Sequence, residues 1–259
     1  MCKEKSFIPC RTCPTRDVSK ASFMEGYYFD EVDGCKVLVE CKCHKKWRET
    51  RELERKLVAS NLITEYGFDD YKGTESIEDV KALKEFVNHF DKYSKSMLYI
   101  YGKNGTQKTS MAMAAGKELV GKGYKVQYVL MNNLLTSLVT DFDKKDQEVK
   151  DIFIKKCEDC DLLIIDEAFD KEKSVIYKSG YQVPFLDNFL RERFDINKKA
   201  VLFISNHQPS EITTQGFSGS LQSLVERNTK RSLLIFKDVY TENANQIDRL
   251  GLFRRDNNV

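Results

Sequence analysis

The amino-acid sequence predicts an α/β fold, in which a parallel five-stranded sheet with flanking helices follows a small cysteine-rich module. From residue 96 onward, short apolar runs alternate with helical stretches, which is the pattern of a parallel sheet. Six of the eight cysteines fall within the first 43 residues and set a front segment apart from the rest. A chain of 259 residues can hold one large domain and a small module. We expect the module over 1–48, a helical linker over 49–75 and the α/β domain over 76–259.

Composition excludes some classes of protein and leaves others open. The 42 basic and 40 acidic side chains give a net charge of +2, which is too small to establish a nucleic-acid partner. No run reaches the roughly 18 apolar residues that a membrane helix needs, and the N-terminus lacks the apolar core of a signal peptide. We therefore expect no membrane association and a cytoplasmic location, where thiols stay reduced.

The front module carries two short cysteine pairs that indicate a zinc site. A C-x2-C pair is followed after 27 residues by a C-x-C pair, and two such pairs can place four thiolates about 2.3 Å from one metal ion. Disulfides and unrelated buried thiols are the alternatives. The predicted Zn²⁺ ligands are Cys10, Cys13, Cys41 and Cys43, with Cys35 or His44 as alternatives for one of them.

A β-hairpin is expected between the two pairs. Asp33-Gly34 is a turn signal, and the flanking segments Tyr27–Phe29 and Val37–Val39 are rich in strand-forming residues. The hairpin would return the second cysteine pair to the first. Metal binding would supply much of the folding energy of so small a module.

Beyond the module, the predicted elements follow in order. A charged helix runs from Trp47 (WRETRELERKLVAS), residues 67–75 are polar and turn-rich, and an amphipathic helix begins at Ile77. The predicted strands are Met97–Tyr101, Val126–Met131, Leu162–Asp166, Val201–Ser205 and Leu233–Phe236. The predicted helices cover 108–121, 132–142, 146–158, 184–195 and 220–229.

The segment GKNGTQKTS follows the first apolar strand and opens a helix, which is the setting of a phosphate-binding loop. It matches the G-x-x-x-x-G-K-[ST] pattern except that Gln107 stands in place of the second glycine. Lys108 would reach the β- and γ-phosphates of ATP, and Thr109 would bind Mg²⁺. We expect Gln107 to keep a helix-compatible backbone with its side chain turned outward, so that ATP binds and hydrolysis is slow. The alternative is a glycine-rich turn before an ordinary helix. The candidate ATP-binding residues are Gly102, Lys103, Asn104, Gly105, Thr106, Gln107, Lys108, Thr109 and Ser110.

Two further strand ends complete the predicted site. LLIIDE ends in Asp166, which would hold Mg²⁺, and in Glu167, which would act as general base on the attacking water. VLFISN ends in Asn206, which resembles the asparagine that contacts the γ-phosphate in P-loop ATPases of the AAA+ class. Taken alone, Asn206 could equally form a local turn.

YGKNGTQKTSMA, CDLLIIDEA and FLRERFDINKKAVLFISNHQPSEI together resemble the motifs of DnaC/DnaI-type helicase loaders, and the transposition ATPase IstB shares most of this pattern. The resemblance covers about 95–237, and the cysteine module resembles the zinc-binding domain of the DnaI type. It implies an AAA+ ATPase that binds a DnaB-type hexameric replicative helicase and helps place it on single-stranded DNA. In that family the front module contacts the helicase, and neighbouring AAA+ domains associate.

The resemblance also implies features near the C-terminal end. SLVERNTKRSLLIF resembles the region of the arginine finger that completes a neighbouring subunit's site, with Arg227 as first candidate and Arg231 as second. A reduced lid is expected after the last strand. The polar stretch 168–180 is either a loop that contacts a partner or DNA, or only a connection. Two other functions stay open: an IstB-like regulator of a transposase, and a non-hydrolysing zinc adaptor with a degenerate P-loop.

Overall fold

The computed structural model describes residues 8–10, 13–16, 24–139, 144–174 and 182–237. The chain divides into two compact units, Met1–Val58 and Ala59–Val259. The second unit begins earlier than the predicted α/β domain, and it takes in most of the stretch expected as a linker. The module, linker and domain limits inferred from sequence stay predictions.

The first unit contains the expected hairpin. Strands β1 (Tyr27–Val32) and β2 (Cys35–Glu40) pair antiparallel, with Val32 opposite Cys35. Asp33 and Gly34 both have positive φ, of 52° and 77°, as a two-residue turn that matches the strand twist requires. Helix α1 (Lys42–Ala59) follows.

The second unit is built on a five-stranded sheet that confirms the predicted fold class. Its strands are β3 (Met97–Gly102), β4 (Val126–Leu130), β5 (Leu162–Asp166), β6 (Ala200–Ser205) and β7 (Leu233–Phe236). They are parallel and lie in the order β4-β5-β6-β3-β7. Every residue of β5 and β6 is buried, as expected for strands covered on both faces.

The helices of this unit follow the predicted alternation. They are α2 (Ile77–Asn88), α3 (Phe90–Tyr93), α4 (Lys108–Gly121), α5 (Met131–Ser137), α6 (Lys144–Asp159), α7 (Gln182–Arg191) and α8 (Gly219–Thr229). A π turn, Glu192–Ile196, continues α7. The end of the predicted helix 132–142, part of the stretch 168–180 and the region of the expected lid lie outside the described residues. Among the described residues, none of the helices combines the length and apolar content needed to cross a bilayer.

A buried arginine closes the C-terminal end of α6. Arg193 is 1% exposed, and its guanidinium donates to the carbonyl oxygens of Cys157 (2.6 Å), Cys160 (3.0 Å) and Ala200 (2.9 Å). The bonds to Cys157 and Cys160 satisfy carbonyls at the end of α6, which have no partner within the helix, and the bond to Ala200 joins this end to the start of β6. Burial raises the pKa of the Cys157 thiol to about 12. Both cysteines therefore belong to the core.

Candidate functional site

A cavity of about 350 Å³ lies at the carboxyl ends of β3, β5 and β6. In parallel α/β sheets this edge is where ligands bind. The cavity brings together the P-loop, the acidic end of β5 and Asn206 after β6, as the sequence predicts. Its lining residues are Tyr66, Lys72, Asn104, Gly105, Thr106, Gln107, Lys108, Thr109, Ser110, Asp166, Glu167, Lys173, Ile204, Ser205 and Asn206.

Two glycines give the P-loop its path. Gly105 has φ of 82°, a conformation that side chains disfavour. A Cβ on Gly102 would lie 2.0 Å from the carbonyl oxygen of Phe236, so only glycine fits beside β7. Gly102 and Lys103 serve the loop through their backbone, because their carbonyl oxygens accept hydrogen bonds from Lys108.

The Lys108 side chain is held inside the loop. Its Nζ donates to the carbonyl oxygens of Gly102 and Lys103, both at 2.7 Å. Burial lowers the pKa of Lys108 to about 8, against the opposing effect of the Asp166 carboxylate. If an anion bound here, the Lys108 ammonium would face an opposite charge in place of carbonyl oxygens. This would favour the protonated lysine and raise its pKa.

Asp166 is the junction of three hydrogen bonds. The Thr109 hydroxyl donates to its Oδ2 at 2.8 Å, and the Tyr128 hydroxyl donates to the same atom at 2.7 Å. The amide of Glu167 donates to Oδ1 at 2.7 Å. A hydroxyl and a carboxylate side by side at a phosphate loop are suitable ligands for Mg²⁺ and its waters. Burial raises the pKa of Tyr128, so its hydroxyl stays a donor.

Glu167 projects into the same cavity and is ion-paired. Its backbone is left-handed, with φ of 53°, and its Oε1 accepts from Lys173 Nζ at 2.9 Å. The hydrogen bond that Lys173 donates to Glu167 is the main cause that raises the pKa of Lys173. Asn206 lines the cavity after β6. The predicted base and γ-phosphate sensor thus share one space with Lys108.

Gln107 departs from its expected conformation. It was expected to have a helix-compatible backbone, but its φ of 61° and ψ of 16° are left-handed, a conformation that glycine adopts readily. The prediction was wrong because the chain must reverse its curvature immediately before α4 begins. The side chain turns toward the preceding segment: its Oε1 accepts from the Lys72 amide at 2.9 Å, and its Nε2 donates to the Asp70 carbonyl at 3.3 Å.

The two candidate arginine fingers lie away from this cavity in the described chain. Arg227 is exposed on α8, and its Nη2 lies 4.0 Å from Asp195 Oδ1. Arg231 is exposed after α8 and lines a separate cavity of about 480 Å³ beside Met97, where β3 begins. An arginine finger acts on a neighbouring subunit, so this placement leaves both roles as predictions.

The first unit brings the predicted zinc ligands together. The sulfurs of Cys10, Cys13 and Cys43 lie within 4.8 Å of one another. The Cys41 Sγ lies 3.0 Å from the Sγ of both Cys13 and Cys43. Burial acts to raise the pKa of Cys13, but hydrogen bonds with Thr15 and Cys41 outweigh it and lower that pKa to about 7. Burial raises the pKa of Cys43 to about 12. Four thiols at this spacing suit a tetrahedral zinc ion.

The two alternative ligands have other surroundings. Cys35 is exposed at the turn end of the hairpin, six positions before Cys41 along an extended strand, and so stands apart from the sulfur cluster. The Nδ1 of His44 lies 2.9 Å from Glu40 Oε1, and its ring stacks on Trp47 with centroids 5.5 Å apart. The described positions therefore favour the four-cysteine set.

Sequence reasoning missed four residues of the nucleotide cavity region. Tyr128 bonds Asp166 from the neighbouring strand, Lys173 pairs with Glu167, and Tyr66 and Lys72 form a wall that comes from ahead of β3. The position of Tyr128 two residues before the end of β4 was the one available signal, because carboxyl ends of adjacent parallel strands meet at one sheet edge.

Comparisons with known proteins agree with this geometry. The family model of IstB-like ATP binding proteins matches residues 31–174. The replicative helicase loader DnaC of Buchnera aphidicola subsp. Baizongia pistaciae is 31% identical over 127 residues, which cover 49% of this chain and 49% of DnaC. The chromosomal replication initiator protein DnaA of Aliarcobacter butzleri is 24% identical over 200 residues, which cover 75% of this chain and 44% of DnaA.

The chain spans about half the length of the curated relatives it matches. Among solved structures, AMPPCP-bound DnaA from Aquifex aeolicus has a TM-score of 0.56 and 20% identity, with 76% of this chain and 58% of that chain covered. At that identity the likeness shows the fold alone.

Proposed function

Because the chain belongs to the family of IstB-like ATP-binding proteins, we propose that it is a helicase loader. It binds a DnaB-type hexameric replicative helicase and helps place it on single-stranded DNA at the start of replication. ATP binding and slow hydrolysis drive the cycle, and AAA+ domains of neighbouring copies associate. The match to the helicase loader DnaC, which covers 49% of this chain, supports the proposal.

The observation that carries the nucleotide part is the single cavity shared by Lys108, the Thr109–Asp166 pair, Glu167 and Asn206. Lys108 and the loop amides would bind the phosphates. Thr109 and Asp166 would hold Mg²⁺, which when bound neutralises the charge of the phosphates. Glu167 would accept the proton of the attacking water, and Asn206 would orient that water.

The cysteine cluster supports the loader function over that of a transposase regulator. Cys10, Cys13, Cys41 and Cys43 would hold a zinc ion that stabilises the hairpin and the start of α1. We assign the helicase contact to this unit and the handling of ATP and single-stranded DNA to the AAA+ unit. In this assignment Arg227, with Arg231 as second candidate, completes the site of a neighbouring copy.

The test is reconstitution with the DnaB-type helicase of the same genome. We expect the full chain to co-elute with the hexamer in size-exclusion chromatography, and ATP to increase the amount of helicase on circular single-stranded DNA. Lys108→Ala should keep co-elution and reduce loading at least about tenfold, because phosphate binding is lost.

Two outcomes would replace this function. A chain that does not bind the helicase but stimulates a transposase is an IstB-like regulator. A chain that binds the helicase but not nucleotide, with Lys108→Ala loading as well as the wild type, is a zinc adaptor.

A further inference from the structure

Gln107 links the P-loop to a wall of the cavity that comes from ahead of β3. We call this segment, residues 66–72, the entry wall. The Gln107 side chain makes two hydrogen bonds with backbone atoms of the wall. Its Oε1 accepts from the Lys72 amide, and its Nε2 donates to the Asp70 carbonyl oxygen. A glycine at position 107 would make neither bond. The residue that departs from the P-loop pattern is therefore the residue that reaches the wall.

The entry wall lines the same cavity as the P-loop residues. Tyr66 and Lys72 are the lining residues that the described chain contributes from before β3. Lys108 and Asp166, the proposed phosphate and Mg²⁺ residues, line the cavity as well. Among the described lining residues, the P-loop and the strand ends contribute no aromatic side chain, whereas the entry wall contributes Tyr66. The Tyr66 side chain is 50% exposed, which leaves an aromatic face available for stacking on a base.

The wall has its own anchor in the domain, which makes the role of Gln107 separable from folding. Phe68 is 6% exposed and lies beneath Lys84 Nζ at 5.9 Å, and the Tyr71 ring packs edge-on against Phe236 at 5.8 Å. These contacts hold the wall on the domain when position 107 changes. Gln107 then determines where the wall stands relative to the loop.

We infer that Gln107 is a positioning residue that ties the entry wall to the P-loop, so that the base and sugar of the nucleotide are held together with its phosphates. This inference rests on the proposed binding of ATP in this cavity and adds how the part beyond the phosphates is recognised. Gln107 has a left-handed backbone, which is unfavourable for residues with a side chain and which glycine adopts readily.

Replacement of Gln107 by glycine tests the inference. The variant should bind ATP more tightly if Gln107 only disturbs the loop, and more weakly if Gln107 positions the wall. Gln107→Gly restores the common P-loop pattern and relieves the left-handed backbone, so a residue that only disturbs the loop would give tighter ATP binding in the variant. The positioning role requires the reverse. We expect ATP·Mg²⁺ to bind about tenfold more weakly to Gln107→Gly, as for the loss of two hydrogen bonds, and tripolyphosphate·Mg²⁺ to bind as in the wild type.

Two further measurements make the result specific. Hydrogen exchange of the Lys72 amide should quicken about fivefold in Gln107→Gly, because its acceptor is removed. Lys198→Gly is the matched control: Lys198 is exposed, has φ of 54° and lies outside the nucleotide cavity in the described chain. Lys198→Gly replaces a residue of left-handed backbone by glycine at a position away from the entry wall. The affinities for ATP·Mg²⁺ and for tripolyphosphate·Mg²⁺ should both stay at wild-type values.

Each outcome decides the matter. Unchanged or tighter ATP binding by Gln107→Gly, or an unchanged Lys72 exchange rate, overturns the inference. Equal weakening of ATP and tripolyphosphate places Gln107 in phosphate binding and also overturns it. A wild-type chain that binds neither ligand removes the proposed nucleotide function itself, which separates that failure from the others.

Discussion

The hydroxyl of Thr109 donates to the carboxylate of Asp166 across 2.8 Å, which joins the start of α4 to the end of β5. The two residues are 57 positions apart in sequence. Their contact exists because β3 and β5 both end at the same edge of the sheet, with β6 between them. The P-loop and the acidic strand end therefore form one unit ready for a cation and a phosphate chain.

Removal of the Asp166 charge should uncouple nucleotide binding from Mg²⁺. For Asp166→Asn we expect the factor by which Mg²⁺ increases the affinity for ATP to fall at least about tenfold. The reason is that an amide replaces a carboxylate in the surroundings of the ion. Titration of ATP with and without Mg²⁺ measures this. Glu167→Gln is the matched variant and should keep the Mg²⁺ effect while turnover falls. An unchanged Mg²⁺ effect in Asp166→Asn would place the ion elsewhere.

Tyr128→Phe should weaken the same Mg²⁺ effect to a smaller extent. The change deletes one of the two hydroxyls that bond Asp166 Oδ2 and leaves the ring in place. About a fivefold loss is expected, the value of one hydrogen bond to a charged group. Mg²⁺ titration at fixed ATP provides the measurement. Tyr101→Phe, on a partly buried ring of β3, is the control and should behave as the wild type.

The affinity for ATP should fall as pH rises above about 8. The pKa of Lys108 is lowered to about 8 in the free protein by burial, and the phosphates raise it in the complex. Binding at pH 8.5 to 9 therefore takes up a proton, and the dissociation constant increases by at most tenfold per pH unit. Calorimetry in buffers of different ionisation enthalpy measures that proton. Lys108→Arg keeps a positive charge that does not titrate in this range and should show no such uptake, and an equal uptake in that variant would contradict the assignment.

Stability should respond to the same lysine with a defined sign. The folded pKa of about 8 lies below the usual lysine pKa of 10.5, so between these values the unfolded chain binds more protons than the folded chain. The free energy of unfolding therefore rises with pH in this window and is independent of Lys108 below about pH 8. Urea titrations at pH 7.5 and 10 compare the two conditions. In Lys108→Met this part of the rise should disappear, and its persistence would assign it to another group.

Release of Glu167 from Lys173 should speed ATP hydrolysis. The ammonium lies 2.9 Å from the carboxylate and occupies an oxygen that would otherwise accept the proton of the attacking water. We expect Lys173→Met to raise turnover by about twofold to fivefold, the effect of one exposed ion pair at most. Lys171→Met is the matched control, because Lys171 is exposed in the same segment. Slower turnover in Lys173→Met would instead make Lys173 a contact of the nucleotide.

Zinc content should depend on the clustered cysteines and not on the one at the hairpin turn. Cys13→Ser should lose the metal, because Cys13 lies 3.0 Å from Cys41 and within the group formed with Cys10 and Cys43. Cys35→Ser keeps the cluster and should retain one zinc per chain, measured by elemental analysis. Equal zinc content in both variants would exclude the four-cysteine set. Nucleotide affinity should be unchanged in Cys35→Ser.

Much of the second unit could be read from the sequence because its signals are local. The strands Leu162–Asp166 and Leu233–Phe236 have the predicted bounds, since each is an apolar run with a polar boundary. The glycine pattern and the residues Lys108 and Thr109 were sufficient to predict the position of the loop. Sequence spacing likewise indicated which four cysteines meet.

The features of the site that the sequence did not predict depend on contacts between residues far apart in the chain, which have no local sequence pattern. The left-handed backbone of Gln107 follows from the path of the loop, and its bonds to the entry wall join positions more than thirty residues apart. Tyr128 reads as an ordinary strand residue until β4 is known to lie beside β5. Lys173 belongs to a polar stretch whose purpose the sequence left open.

The strand order also determines when this site can first exist during synthesis. Strand β3, which leads into the P-loop, has β6 on one side and β7 on the other. Met97 pairs with Val201, and Tyr99 with Leu233, so both neighbours are made more than a hundred residues later. On the ribosome, β3 therefore keeps two open edges until nearly the whole sheet has emerged. Such long-range pairing is slow, and exposed edges invite association with other chains. A nascent chain that stops before Ala200 would contain every P-loop residue but neither of the two strands that flank β3.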